Sequence, residues 1–188
     1  DAAEFLRDWE QQAWLPYRAD SVELVHGGHA AALTAVQRAA KDLAEGAADF
    51  CVVGGVDSFL QSEFLYELLT ANQVKTALTP GGFIPGEAAA FVVLENPQSA
   101  RKRGAQCVAG VTGVKHGMEP HGDDYDAPST GEASSQVLRE TLAELPIEPG
   151  RIQRVINDLN GERWRFLEWA MADARALAPL PPHWRLWH

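Results

Sequence analysis

His26-Gly27-Gly28-His29 sets two imidazoles around a pair of glycines just before a run of helical periodicity. A side chain at such a corner faces solvent at the positive end of a helix, so His29 suits a base or a hydrogen-bond donor in a cleft. The competing reading is a polar turn residue that caps the helix, and it is the favoured one for His26. Glu87 stands in a glycine-flanked turn ahead of an apolar run, where it either takes part in chemistry or organises the surrounding loops. His116, His121, Asp123, Asp124 and Asp126 combine imidazole with carboxylate, a donor set suited to zinc or manganese. Their spacing matches neither a helical histidine pair nor a calcium loop, so a solvated acidic loop is expected there and no metal site. Cys51 and Cys107 each lie in an apolar run of strand character, which predicts buried thiols of a reducing compartment rather than a disulfide. The sequence lacks a dinucleotide fingerprint, a phosphate loop, a serine elbow and a paired Cys-x-x-Cys. No cofactor is therefore expected.

The elements that must position these groups follow from periodicity. Residues 2–14 show helical spacing through Phe5, Leu6, Trp9, Ala13 and Trp14, and Pro16 stops it. Residues 21–25 alternate as a short strand, and after the glycine turn residues 30–45 form a helix that Gly46 ends. Phe50 to Val53 is a continuous apolar run closed by Gly54-Gly55, the profile of a strand buried on both faces of a mostly parallel sheet. Strand, turn, helix and strand predict a βαβ unit. Further on, helices are predicted over 63–70, 99–103, 131–145 and 162–176, and strands over 88–94, 107–111 and 154–159. Residues 115–128 read as a loop, and Asn160-Gly161 as a turn. Arg101-Lys102-Arg103 suits the charged last turn of a helix. Trp164 and Trp169 are expected to pack against the sheet or a neighbouring subunit, whereas Trp184 and Trp187 lack evident partners.

Composition narrows the partners. The chain has 188 residues, 46% hydrophobic and 22% charged, enough for a real hydrophobic core. A formal net charge of −10 repels phosphate backbones and anionic lipid, so neither nucleic acid nor a membrane surface is expected as a partner. No apolar run approaches the length of a membrane span, and the acidic start is unlike a signal peptide, which makes a cytoplasmic protein the expectation. The chain starts without Met and ends on tryptophan-rich sequence, which reads as a piece of something longer.

Three segments together resemble the β-ketoacyl-acyl-carrier-protein synthases of the thiolase-like superfamily. One is the strand, turn, helix and strand that end in Ala48-Asp49-Phe50-Cys51-Val52-Val53-Gly54-Gly55-Val56-Asp57. A second is Gly82-Phe83-Ile84-Pro85-Gly86-Glu87-Ala88-Ala89, with its strand ending Leu94-Glu95 and Ala100-Arg101-Lys102-Arg103-Gly104-Ala105 after it. The third is the acidic loop from Glu119 to Ser129, the helix to Leu145, Ile147-Glu148-Pro149 and the strand Val155-Ile156-Asn157. The resemblance implies an α/β, thiolase-like layered fold with mostly parallel mixed sheets and helices between and outside them, present here incompletely. Residues 1–100 would belong to the N-terminal thiolase-like half and 101–188 would begin the C-terminal half.

It also implies acyl-thioester chemistry of fatty-acid or polyketide type, an acyl carrier protein or coenzyme A thioester as partner, and dimerisation with itself or with another synthase. Counting back from Gly54-Gly55, the family's acyl-accepting cysteine position falls on His29. Aligning Gly161 with the glycine of the family's His-Gly-Thr puts Asn160 at the catalytic histidine and Glu162 at the threonine. Imidazole is not a stable acyl carrier, and an amide donates a hydrogen bond to an oxyanion without exchanging protons. His29, Asn160 and Glu87 are thus the expected site. The alternative is a catalytically silent subunit that pairs with an active synthase.

Overall fold

The computed structural model describes residues 2–12, 22–120, 129–177 and 185–187. Helix α1 (Ala2–Gln12) comes first, and a single 3-10 turn, Gly28–Ala30, opens α2 (Ala31–Glu45). Gly28 has φ +55°, a left-handed angle that a side chain resists, so the chain can double back here directly before His29.

Helix α2 lies on strand β1 (Phe50–Ser58), burying its Ala39 and Leu43 while Val53 is buried from the strand side. Strand β1 pairs antiparallel with β2 (Glu87–Glu95), in register from Phe50 opposite Glu95 to Ser58 opposite Glu87. Two expectations are corrected by this ladder. Its partner runs antiparallel, and Gly54-Gly55 lie inside the strand rather than closing it. A Cβ on Gly54 would come within 2.3 Å of the Phe91 ring, so the glycine makes room for a cross-strand aromatic. Nor is β1 buried on both faces. Alternation sends Val53 toward α2 and leaves Val52, Val56, Phe91 and Val93 more than half exposed. An apolar run states how much a strand can bury, not what will cover it.

Two further predicted strands are absent. Residues 22–27 and 105–119 have no regular structure, because a strand exists only through ladder hydrogen bonds and neither segment has a ladder among the described residues. The predicted βαβ unit therefore lacks its first strand here. Val108 is fully exposed and Cys107 is exposed, contrary to the buried thiol expected.

Helix α3 (Ser62–Thr70) packs Leu68 with Val74 and Phe83 into a small core, joined by Phe59 and Leu65. Phe59 meets Phe83 edge to face at 5.3 Å. A short parallel bridge of Val74 with Phe83 completes the clamp and fixes the loop that leads into β2. Helix α4 (Pro97–Lys102) carries Arg101 and Lys102 in its last turn as expected. Arg103, just beyond it, pairs with both oxygens of Glu95 at 3.0 Å from its Nε.

Helix α5 (Glu132–Glu144) packs on α6 (Arg163–Ala172) and on the π-helical turn Asp173–Leu177 that continues α6. Ser135, Ala172, Ala176 and Leu177 are buried at this contact. Glu168 of α6 accepts hydrogen bonds from Ser129 Oγ (2.9 Å) and Ser134 Oγ. Strand β3 (Arg154–Ile156) pairs in parallel with β4 (Arg185–Trp187) and ends sooner than predicted. The helix predicted over 162–176 is α-helical only to Ala172. His121, Asp123, Asp124, Asp126, Trp184 and residues 13–21 lie outside the described residues.

Candidate functional site

The corner before α2 and the turn after β3 meet through one side chain, Arg165, in the first turn of α6. Its Nε donates to Glu162 Oε2 at 2.7 Å, its Nη1 to Asp158 Oδ2, and its Nη2 lies 3.3 Å from His29 Nδ1. The guanidinium also lies over the Trp164 indole, 4.5 Å from the ring centroid, so Trp164 packs on its neighbour in sequence. His29 Nε2 stands 3.9 Å from Asp158 Oδ2, and the imidazole is 60% exposed while the Arg165 side chain is 15% exposed. A fixed cation therefore backs a reachable imidazole.

Asn160 is tied into the same group. Its Oδ1 accepts from the backbone N–H of Glu162 at 3.1 Å, and its Nδ2 donates to Glu162 Oε2 at 2.9 Å. The first bond closes a turn that side chains of this type favour at helix starts. Gly161, within that turn, has φ +104°, and a Cβ there would sit 2.8 Å from the carbonyl oxygen of Gly82. Only glycine fits, and the turn thereby rests on the Gly82-Phe83 segment that the small core holds.

Glu162 is the buried member. Burial raises its carboxyl pKa, yet the hydrogen bonds from Arg165 and Asn160 outweigh burial and hold it below the usual carboxylate range. The carboxylate is therefore charged and fully committed to holding Arg165 and Asn160 in place.

Of the three expected site residues, His29 and Asn160 are joined through Arg165 and Glu162. Glu87 is not bonded into this group: it opens β2 and accepts from Ser58 Oγ at 3.2 Å across the ladder. That bond favours the loop-organising reading. His26 is exposed. His116 Nδ1 lies 3.1 Å from Gln37 Oε1, and no group of metal-ligating residues assembles among the described residues. Cys51 is the second residue of β1, its Sγ 3.9 Å from the Ala39 carbonyl oxygen, and burial, with Asp42 nearby, raises its thiol. Cys107 lies in the irregular segment after α4 rather than at a helix start. Neither cysteine stands at a helix N-terminus.

Sequence reasoning missed Asp158 and Arg165. The signal was present in Glu162-x-x-Arg165, an acidic and a basic residue spaced by three at a predicted helix start.

Residues 22–100 match the family model "Beta-ketoacyl synthase, N-terminal domain". Over this stretch the chain is similar to the β-ketoacyl synthases. It is 27% identical over 129 residues to 3-oxoacyl-[acyl-carrier-protein] synthase 2 of Staphylococcus aureus, an alignment that covers 63% of this chain and 32% of the relative. It is 28% identical over 130 residues to the pikromycin polyketide synthase component PikAIII of Streptomyces venezuelae, covering 65% of this chain and 8% of that protein. The fold agrees with the solved AntDE:AntF complex, a type II polyketide acyl-carrier protein with its ketosynthase. That match has a TM-score of 0.72 and 17% identity, and covers 88% of this chain and 44% of that one. The α/β, thiolase-like fold expected from the three segments is the fold observed. The chain spans about a third of the length of the Staphylococcus relative it matches. Among the described residues, no helix is long and apolar enough to cross a membrane.

Proposed function

We propose that this chain is the acyl-thioester-binding part of a β-ketoacyl synthase-like protein of fatty-acid or polyketide-type metabolism, working without a covalent acyl-enzyme intermediate. The observation that carries this reading is the polar group joined by Arg165, which ties an imidazole to a carboxamide with no thiol near them; the resemblance sets these two residues against the family's thiol and histidine. An N–H from His29 and the second amide N–H of Asn160 are suited to polarise a thioester carbonyl. Glu87 keeps the loop before β2 in shape by accepting from Ser58. Residues 1–100 supply the His29 corner and 101–188 the Asn160 turn, so the site belongs to both thiolase-like halves. The partner is an acyl group carried on acyl carrier protein or coenzyme A, in keeping with the carrier-protein complex formed by the AntDE:AntF ketosynthase.

Acyl-coenzyme A with an isotopically tagged acyl group tests the reading. Calorimetry should show saturable binding that weakens in H29A and N160A, and intact-protein mass spectrometry should show no acyl adduct. An adduct on any residue would overturn it. A second reading, a silent subunit of an active synthase, is favoured by the absence of a thiol at the corner. Failure to bind acyl-coenzyme A, together with co-purification of a cysteine-bearing synthase, would select it.

A further inference from the structure

We propose that Arg165 is a positioning residue that holds His29 as its Nε2–H tautomer, so that the corner offers a ligand an N–H and withholds its basic lone pair. A guanidinium has only donors, so the nitrogen it approaches must be the unprotonated one. Arg165 Nη2 approaches His29 Nδ1 at 3.3 Å, which leaves the proton on Nε2. The Nε2 to Asp158 Oδ2 distance of 3.9 Å is beyond hydrogen-bonding range, so Asp158 does not consume that N–H. With the ring 60% exposed, the N–H is reachable from solvent.

Arg165 can impose this because it has no freedom of its own. Nε is committed to Glu162 at 2.7 Å, Nη1 to Asp158, and the guanidinium face to the Trp164 ring at 4.5 Å. The third nitrogen then points where the planar fork sends it. Nucleophilic attack and proton abstraction by a neutral imidazole both require a free lone pair. At His29 that lone pair is engaged, which leaves hydrogen-bond donation to an acceptor such as a carbonyl oxygen. That the acceptor is a thioester carbonyl rests on the function proposed above; the tautomer does not.

Two readouts test the inference without any acyl ligand. Diethyl pyrocarbonate acylates imidazole through its lone pair, and exposed His26 provides an internal reference. At pH 8, where an ordinary imidazole is neutral, His29 should be modified about tenfold more slowly than His26, the factor that a hydrogen bond to a charged donor supplies. R165K keeps a cation beside Glu162 and Asp158 but lacks the planar fork that reaches His29 as well, so it should bring His29 to the rate of His26. In wild-type protein labelled with ¹⁵N-histidine, the long-range proton–nitrogen spectrum should show Nδ1 of His29 unprotonated and Nε2 protonated. Equal rates for the two histidines in the wild type, an unchanged rate in folded R165K, or a proton on Nδ1 would each overturn the proposal. The nitrogen spectrum of the wild type decides alone if R165K does not fold. Failure of acyl binding with the tautomer intact would instead sink the proposed function and leave this inference standing.

Discussion

Glu119 should be the anchor of the second half of the fold, and its removal can be worked through. Helix α5 begins after Gly131, which has no side chain to cap it. Glu119 supplies the cap from upstream: its carboxylate accepts the backbone N–H groups of Thr130 at 3.0 Å and Ala133 at 2.9 Å, and the Thr130 hydroxyl at 3.0 Å. Losing such a cap costs about 1 kcal/mol, and losing a negative charge at a helix N-terminus about 0.5 kcal/mol more. E119A should therefore lose about 1.5 kcal/mol, which for a chain of this length lowers Tm by about 5 °C. E119Q keeps an acceptor and loses the charge, so it should lose about 0.5 kcal/mol.

The pH dependence gives a second check on the same residue. Burial raises the Glu119 carboxyl, but the bonds from Ala133 and Thr130 outweigh it and hold the group below the usual carboxylate range. A carboxyl depressed on folding stabilises the protein fully above its unfolded pKa of about 4.3, and that stability is lost as pH falls through the folded value. The wild type and E119Q should accordingly converge on acidification, as measured by urea unfolding at pH 7 and at about pH 3. A Tm for E119A within 1 °C of wild type at pH 7, or a wild type to E119Q gap that does not shrink in acid, would refute the capping argument.

E162Q should cost about 2 kcal/mol in urea unfolding, less than for a fully buried ion pair because solvent still reaches the edges of this one. Its carboxyl is also held low by Arg165 and Asn160, so the variant should be less sensitive than wild type to acid below about pH 4.3. G161A forces a side chain into φ +104° and against the Gly82 carbonyl, and should cost about 2 kcal/mol. G81A, in open space, should stay within about 0.5 kcal/mol of wild type in the same thermal melt. F83A empties the small core between α3 and the loop before β2 and should cost about 3 kcal/mol in urea unfolding; a loss below about 1 kcal/mol would mean that this core does not hold the loop.

Much of the fold was legible along the chain. Helices over 31–45, 62–70 and 132–144 lie within a residue or so of where periodicity placed them, because an amphipathic helix makes its hydrogen bonds within itself. Strands fared differently. Phe50 to Val53 was visible as apolar, but the strand's extension to Ser58, its antiparallel partner and its open face were not, and the predicted strands at 21–25 and 107–111 found no ladder among the described residues.

The corner at Gly27-Gly28-His29 and the turn at Asn160-Gly161 are written locally, since glycine is favoured where φ turns positive and asparagine favours the turn that it closes. The amino-acid order alone therefore determines where the chain bends and which polar groups stand at those bends. Only the tertiary structure decides that the two bends meet, because the link is a guanidinium on a third element, reaching a residue far away in sequence. It also decides that Glu87 is occupied with Ser58 and that half-buried Cys51 faces the Ala39 carbonyl of α2. Hydrogen-bond partners across the fold are set by packing distance, and sequence separation carries no record of that.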